Sequence, residues 1–105
     1  MPALPLTRDQ AFERLKAAEA EIRLLGVRRL ALFGSVARGE ARPDSDVDLL
    51  VEFDPEQKTF DHFMTLSFLL EDLLGRRVEI VTRESLSPYI GPRILQEAQD
   101  VLCAA

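Results

Sequence analysis

Two aspartates separated by one residue, Asp46 and Asp48, open an apolar run in the middle of the chain. In an extended strand residues two apart point to the same face, so the two carboxylates converge. Like charges a few ångströms apart repel unless a proton or a cation lies between them. Mg2+ serves well, because it prefers one or two carboxylates together with waters and the oxygens of a bound phosphate. The pair reads as a metal seat. A plainer account is that Asp44, Ser45 and Asp46 are turn formers and Asp48 faces solvent on a strand edge. The stretch before the pair tips the balance. Gly34 lets the backbone approach a ligand closely, and Ser35 offers a hydroxyl and an amide hydrogen to a phosphate oxygen. Arg38 and Arg42 belong to the same stretch, with Gly39 between them. A phosphate-binding turn facing a carboxylate pair is what metal-assisted phosphoryl or nucleotidyl transfer requires.

These residues must be positioned by regular elements, and the spacing predicts which. Thr7-Arg8-Asp9-Gln10 has the form of a capping box. A helix should start there, run on Phe12, Leu15, Ile22 and Leu25, and stop at Gly26. Leu30-Ala31-Leu32-Phe33 is short and apolar, a buried first strand. Residues 34–45 should form a loop or a short helical turn. Val47 to Phe53 is the second strand, ended by Asp54-Pro55. Between Thr59 and Leu74 the apolar residues follow helical spacing, and Gly75 closes that helix. Arg77 to Thr82 is the third strand, expected parallel to the second across a right-handed crossover. Pro88 or Pro92 opens a last helix to about Leu102, with Ile90, Ile94, Leu95, Ala98 and Leu102 on its apolar face. The expected fold class is α/β (α+β): a small mixed sheet with helices packed on it.

Composition narrows the chemistry. A chain of 105 residues predicts one domain over 1–105. No apolar run reaches the roughly 18–20 residues needed to cross a bilayer, so no membrane partner is expected. Met1–Leu6 is too short for a secretory signal, and the lone Cys103 permits no disulfide within the chain, both of which point to the cytoplasm. A net charge of −5 argues against direct nucleic-acid binding through a broad basic surface, while a small anion escorted by a metal is allowed. Eleven arginines stand against two lysines, a bias that suits forked contacts with phosphate or follows from genomic base composition. His62 has no nearby Cys or His in sequence and is expected at the surface rather than on zinc. Tyr89 either stacks on a base or packs its loop, and Arg93 either meets phosphate or faces solvent.

Gly34-Ser35-Val36-Ala37-Arg38-Gly39, followed by Asp44-Ser45-Asp46-Val47-Asp48-Leu49-Leu50-Val51, closely resembles the two-part signature of the minimal nucleotidyltransferases (MNT proteins) of the DNA polymerase beta superfamily. Ser85-Leu86-Ser87-Pro88-Tyr89-Ile90 resembles the segment before that family's last helix. The resemblance implies a polymerase beta-like core that uses ATP and Mg2+. Gly34, Ser35, Arg38 and Ser45 would bind the nucleotide, and Asp46 and Asp48 the metal. It also implies an antitoxin paired with a HEPN-domain ribonuclease toxin, with AMP passed to a toxin tyrosine. The family's third acid is usually aspartate, and here Glu79 holds that place, expected to act as a third catalytic and metal-binding carboxylate. A competing reading is a binding module that neutralises a toxin by covering it, with chemistry weak or lost. Open sheet edges further suggest a homo-oligomer or a heterocomplex.

Overall fold

The computed structural model describes residues 5–103. The first four residues of Met1–Leu6 lie outside them, while Leu6 itself is buried in the core. The capping box forms as expected. Thr7 Oγ1 accepts from the Gln10 N–H at 3.1 Å, and Gln10 Oε1 accepts from the Thr7 N–H at 3.1 Å. The single helix expected up to Gly26 is broken in two: α1 covers Arg8–Ala17 and α2 covers Glu19–Leu24. At the break the Ala18 N–H bonds to the Leu15 carbonyl at 3.2 Å, a tighter turn, and Leu15, Ala18 and Ile22 all remain buried.

β1 spans Val27–Phe33, three residues longer at its start than the apolar run alone predicts, because Val27 finds a partner in Phe53. The expected loop opens with a short helix, α3, over Gly34–Arg38. β2 spans Val47–Phe53 as predicted. α4 covers Phe60–Leu74, capped by Thr59 and closed by Gly75 with φ +63°. β3 spans Val78–Thr82 and runs parallel to β2. A 3-10 turn at Arg83–Ser85 follows, then α5 at Gly91–Glu97, with Pro92 rather than Pro88 in its first turn.

The last element departs from the sequence reading. The helix expected up to Leu102 ends at Glu97, Ala98 turns extended, and β4 (Gln99–Leu102) adds a fourth strand. The spacing of Ile94, Ala98 and Leu102 suits a helix, yet β1 has a free edge whose N–H and C=O groups need partners. β4 satisfies them with an antiparallel register that sets Leu102 against Leu30. The sheet is therefore mixed, in the order β3-β2-β1-β4.

One face of this sheet carries the main core. Leu30, Leu32, Val47, Leu49 and Val51 pack there with Leu15, Ile22, Leu66, Leu70 and Leu74 from α1, α2 and α4. The other face carries a smaller cluster of Ala31, Phe33 and Leu50, covered by Leu86, Ile94 and Ala98 of the C-terminal segment. The remainder of that second face is charged.

Candidate active site

The charged part of the second face is built by register. β1 and β2 set Phe33 opposite Asp48, and β2 and β3 set Asp48 opposite Glu79. Partners across a ladder point to the same side of the sheet. Asp48 and Glu79 therefore share a face, and Asp46 precedes Asp48 by one strand period. Asp48 is thus close enough to Glu79 for a hydrogen bond and to Asp46 for their charges to interact. Asp48 is half-buried, whereas Asp46 and Glu79 are exposed.

Gly34 begins α3 directly after β1, with φ +78°. A Cβ built there would fall 2.1 Å from Asp48 Oδ2, so no larger residue fits without moving that carboxylate. The space a side chain would fill is taken by Asp48, a reason for this glycine that the sequence did not reveal. Ser35 follows in the first turn of α3, which no side chain caps. Backbone N–H groups of an uncapped first turn are donors for an anion. Arg38 ends α3, hydrogen-bonded to Glu40 and to Glu97.

Electrostatics at Asp48 follow from this crowding. Burial raises its pKa, and the charge of Glu79, a hydrogen bond to Glu79 and the charge of Asp46 push further in the same direction. Arg38 pulls the other way, and the carboxyl ends at about 6. Negative charge here is under strain that a cation would relieve. Among the described residues no three acidic, imidazole or thiol groups stand together closely enough to hold a metal ion. That is compatible with Mg2+, which keeps waters and takes phosphate oxygens beside one or two carboxylates. Carboxylate oxygens of Asp48 and of one neighbour, Asp46 or Glu79, would suit so partial a ligand set.

The remaining candidates are distributed as follows. Ser45 Oγ accepts from the Arg42 N–H at 2.8 Å, and the Ser45 N–H donates to the Arg42 carbonyl at 3.0 Å, so Ser45 fixes the turn that delivers Asp46 to β2. His62 hydrogen-bonds through Nδ1 with the Gln57 carbonyl at 2.6 Å, away from the acids in the fold's other layer. Tyr89 is 91% exposed, which goes against the reading that it packs its own loop. Glu97 was not singled out from sequence, since only the fold brings α5 to α3. Arg38, Arg93, Gln96 and Glu97 line a depression of about 600 Å3. Among the described residues no helix is long and apolar enough to cross a membrane.

Comparison with known proteins gives a consistent picture. The family model described as a nucleotidyltransferase domain matches residues 13–101. The chain is 43% identical over 93 residues to the protein adenylyltransferase MntA of Thermococcus cleftensis, covering 88% of this chain and 93% of that one. A solved structure proposed to be a minimal nucleotidyltransferase superposes with a TM-score of 0.78 at 42% identity, covering 89% of this chain and 94% of the other. A chain from the complex of a tri-AMPylated Shewanella oneidensis HEPN toxin with its MNT antitoxin gives a TM-score of 0.61 at 16% identity, over 89% of this chain and 73% of that one, a likeness of fold alone.

Proposed function

The chain belongs to the nucleotidyltransferase domain family and is a nucleotidyltransferase, and from that premise we propose that it moves AMP from ATP, with Mg2+, onto a tyrosine of a HEPN-family ribonuclease toxin and so acts as its antitoxin. The single observation that carries this reading is Asp48, interacting with Asp46 and Glu79 and pressed against the start of α3. The adenylyltransferase name of the Thermococcus relative supports AMP as the group moved. The AMPylated HEPN toxin of the Shewanella complex supports the acceptor.

Each residue has a task in this reading. The N–H groups of Gly34 and Ser35 hold the triphosphate, aided by the Ser35 hydroxyl and the Arg38 guanidinium. Ser45 acts through the turn that presents Asp46. Asp46 and Asp48 would hold Mg2+, with Glu79 as a third carboxylate beside them. When bound there, Mg2+ would supply Lewis acidity at the phosphates and would lift the repulsion among the acids. The tyrosine oxygen attacks the α-phosphorus, the bond to pyrophosphate breaks, and the phenol proton passes to Glu79, whose exposed carboxylate is open to an incoming hydroxyl. The rate gain comes mainly from alignment of the reacting atoms.

In this reading a partner chain brings the acceptor tyrosine to the acid-bearing face. Exposed Tyr89 and Ile90 ahead of α5, and the sheet edges left open at β3 and β4 among the described residues, suit such a complex or a homo-oligomer in the cytoplasm. The test is the intact mass of the HEPN partner after incubation with this chain, ATP and Mg2+. An added adenylyl group, lost on chelation and in the Asp46→Asn, Asp48→Asn variant, is the expected result. Transfer by that variant should fall more than about 100-fold, because even outer-shell partners of a metal are worth 10–100-fold. One observation favours a second reading. Glu79 is longer than aspartate and exposed, which loosens the third acid. If the double variant still neutralised the toxin fully in cells, complex formation would be the function.

A further inference from the structure

Arg38 is held from two directions. Its Nε donates to Glu40 Oε2 at 3.1 Å, in the loop after α3, and its Nη1 donates to Glu97 Oε1 on α5. Two of the three guanidinium nitrogens are thereby committed to carboxylates from different segments. Nη2, which carries two more hydrogens, has no partner among the described residues. Glu97 is the more enclosed of the two acids, its side chain 27% exposed against 65% for Glu40. It also stands on a firmer base. Ile94 and Ala98, on either side of it, pack against Ala31, Phe33 and Leu50, the apolar part of the face that bears Asp48. The charge of Arg38 already reaches Asp48.

We propose that Glu97 is a positioning residue for nucleotide transfer: it fixes the plane of the Arg38 guanidinium so that the free Nη2 edge is presented to the phosphates of ATP. This inference rests on the function proposed above. A long arginine side chain loses rotamer freedom when it grips an anion, and one restrained beforehand loses less. Because the guanidinium is planar and its donors are fixed relative to one another, anchoring two nitrogens sets the direction of the third. α5 thus does more than cover the apolar patch, for it also ties the C-terminal segment to the phosphate-binding turn.

The decisive variants separate aim from charge. Glu97→Gln keeps an oxygen at the same reach and removes the charge, whereas Glu97→Asp keeps the charge and withdraws it by one methylene. The readouts are the Kd for ATP in the presence of Mg2+, by titration calorimetry, and KM for ATP against kcat with the HEPN partner. Glu97→Asp and Glu97→Ala should both weaken ATP binding on the order of fivefold with kcat little changed, Glu97→Gln should stay close to the unaltered chain, and neither loss should appear in an Arg38→Ala background. Tighter binding by Glu97→Ala would make Glu97 a competing counter-ion and overturn the proposal. So would a Glu97→Asp variant equal to the unaltered chain, or an effect that persists without Arg38. An unaltered chain that binds no ATP and modifies no partner would overturn the proposed function, and this inference with it; normal transfer with a silent Glu97→Asp overturns this inference alone.

Discussion

Asp48 and Leu49 are neighbours in β2, yet they belong to different parts of the molecule. Leu49 points into the layer of α1, α2 and α4 and is fully buried. Asp48 points to the other side, where it meets the backbone of Gly34 and the carboxyl of Glu79. The alternation continues along the strand, with Val47 and Val51 in the main core and Leu50 and Glu52 on the opposite face. The second face is therefore mixed. Its apolar patch is small, and its far end is a charge network in which Arg29 pairs with Glu52 at 2.9 Å and with Asp100 at 2.7 Å, while Arg83 approaches Glu52 at 3.5 Å. The difference teaches that one sheet divides its work by side. One face stabilises the fold through apolar burial, and this leaves the other free to hold like charges close together, at a cost the first face offsets.

The sharpest way to break this comparison is to truncate on the core side. Leu49→Ala should lower unfolding free energy by about 2–5 kcal/mol, through lost transfer energy and the cavity left behind. Denaturant melts measure it, and the folded fraction should keep its affinity for ATP. A change in that affinity as large as the change in stability would show the faces are not separable.

Gly34→Ala probes the point where fold and site meet. A Cβ there meets Asp48 and needs a left-handed backbone, so a loss of about 1–3 kcal/mol in stability is expected, together with weaker ATP binding. Stability without ATP binding would be the telling result if Asp48 yields to the methyl group. Unchanged values for both would mean that the close packing of Gly34 on Asp48 is unimportant.

The smallest effect concerns pH. The Asp48 carboxyl is raised from its ordinary 3.8 to about 6 in the folded chain, so between these values the folded state binds more protons than the unfolded one. Stability from this group is then complete below about 4 and is lost as pH rises through 6. Thermal melts of the metal-free chain should show this decline, Asp48→Asn should lack it, and added Mg2+ should reduce it. A pH dependence identical in the chain and in Asp48→Asn would remove the strain from Asp48.

Much of the fold is legible because its signals are local. β2 is bounded by a turn before it and by Asp54-Pro55 after it, and α4 by Thr59 and Gly75, and both elements have the predicted extent. Ala18 was opaque for the opposite reason, since alanine favours continuing a helix, yet the chain tightens there with Leu15, Ala18 and Ile22 all buried. β4 was read as helix because four residues carry too little pattern to outweigh the spacing before them. The demand for a strand comes from the unpaired edge of β1, some seventy residues earlier in the chain.

For the site the division is similar. The sequence by itself determined that Asp46 and Asp48 stand one strand period apart, that a Gly-Ser turn follows the first strand, and that an acid stands in the third strand. All of these are consequences of strand alternation and of residue type. Only the tertiary structure decided that Glu79 lies opposite Asp48 rather than one residue along, that Asp48 fills the space beside Gly34, and that Glu97 reaches Arg38 from α5. Period and chemistry are written within a few neighbouring residues, whereas register and cross-chain contacts are chosen by which distant segments can bury their apolar sides together.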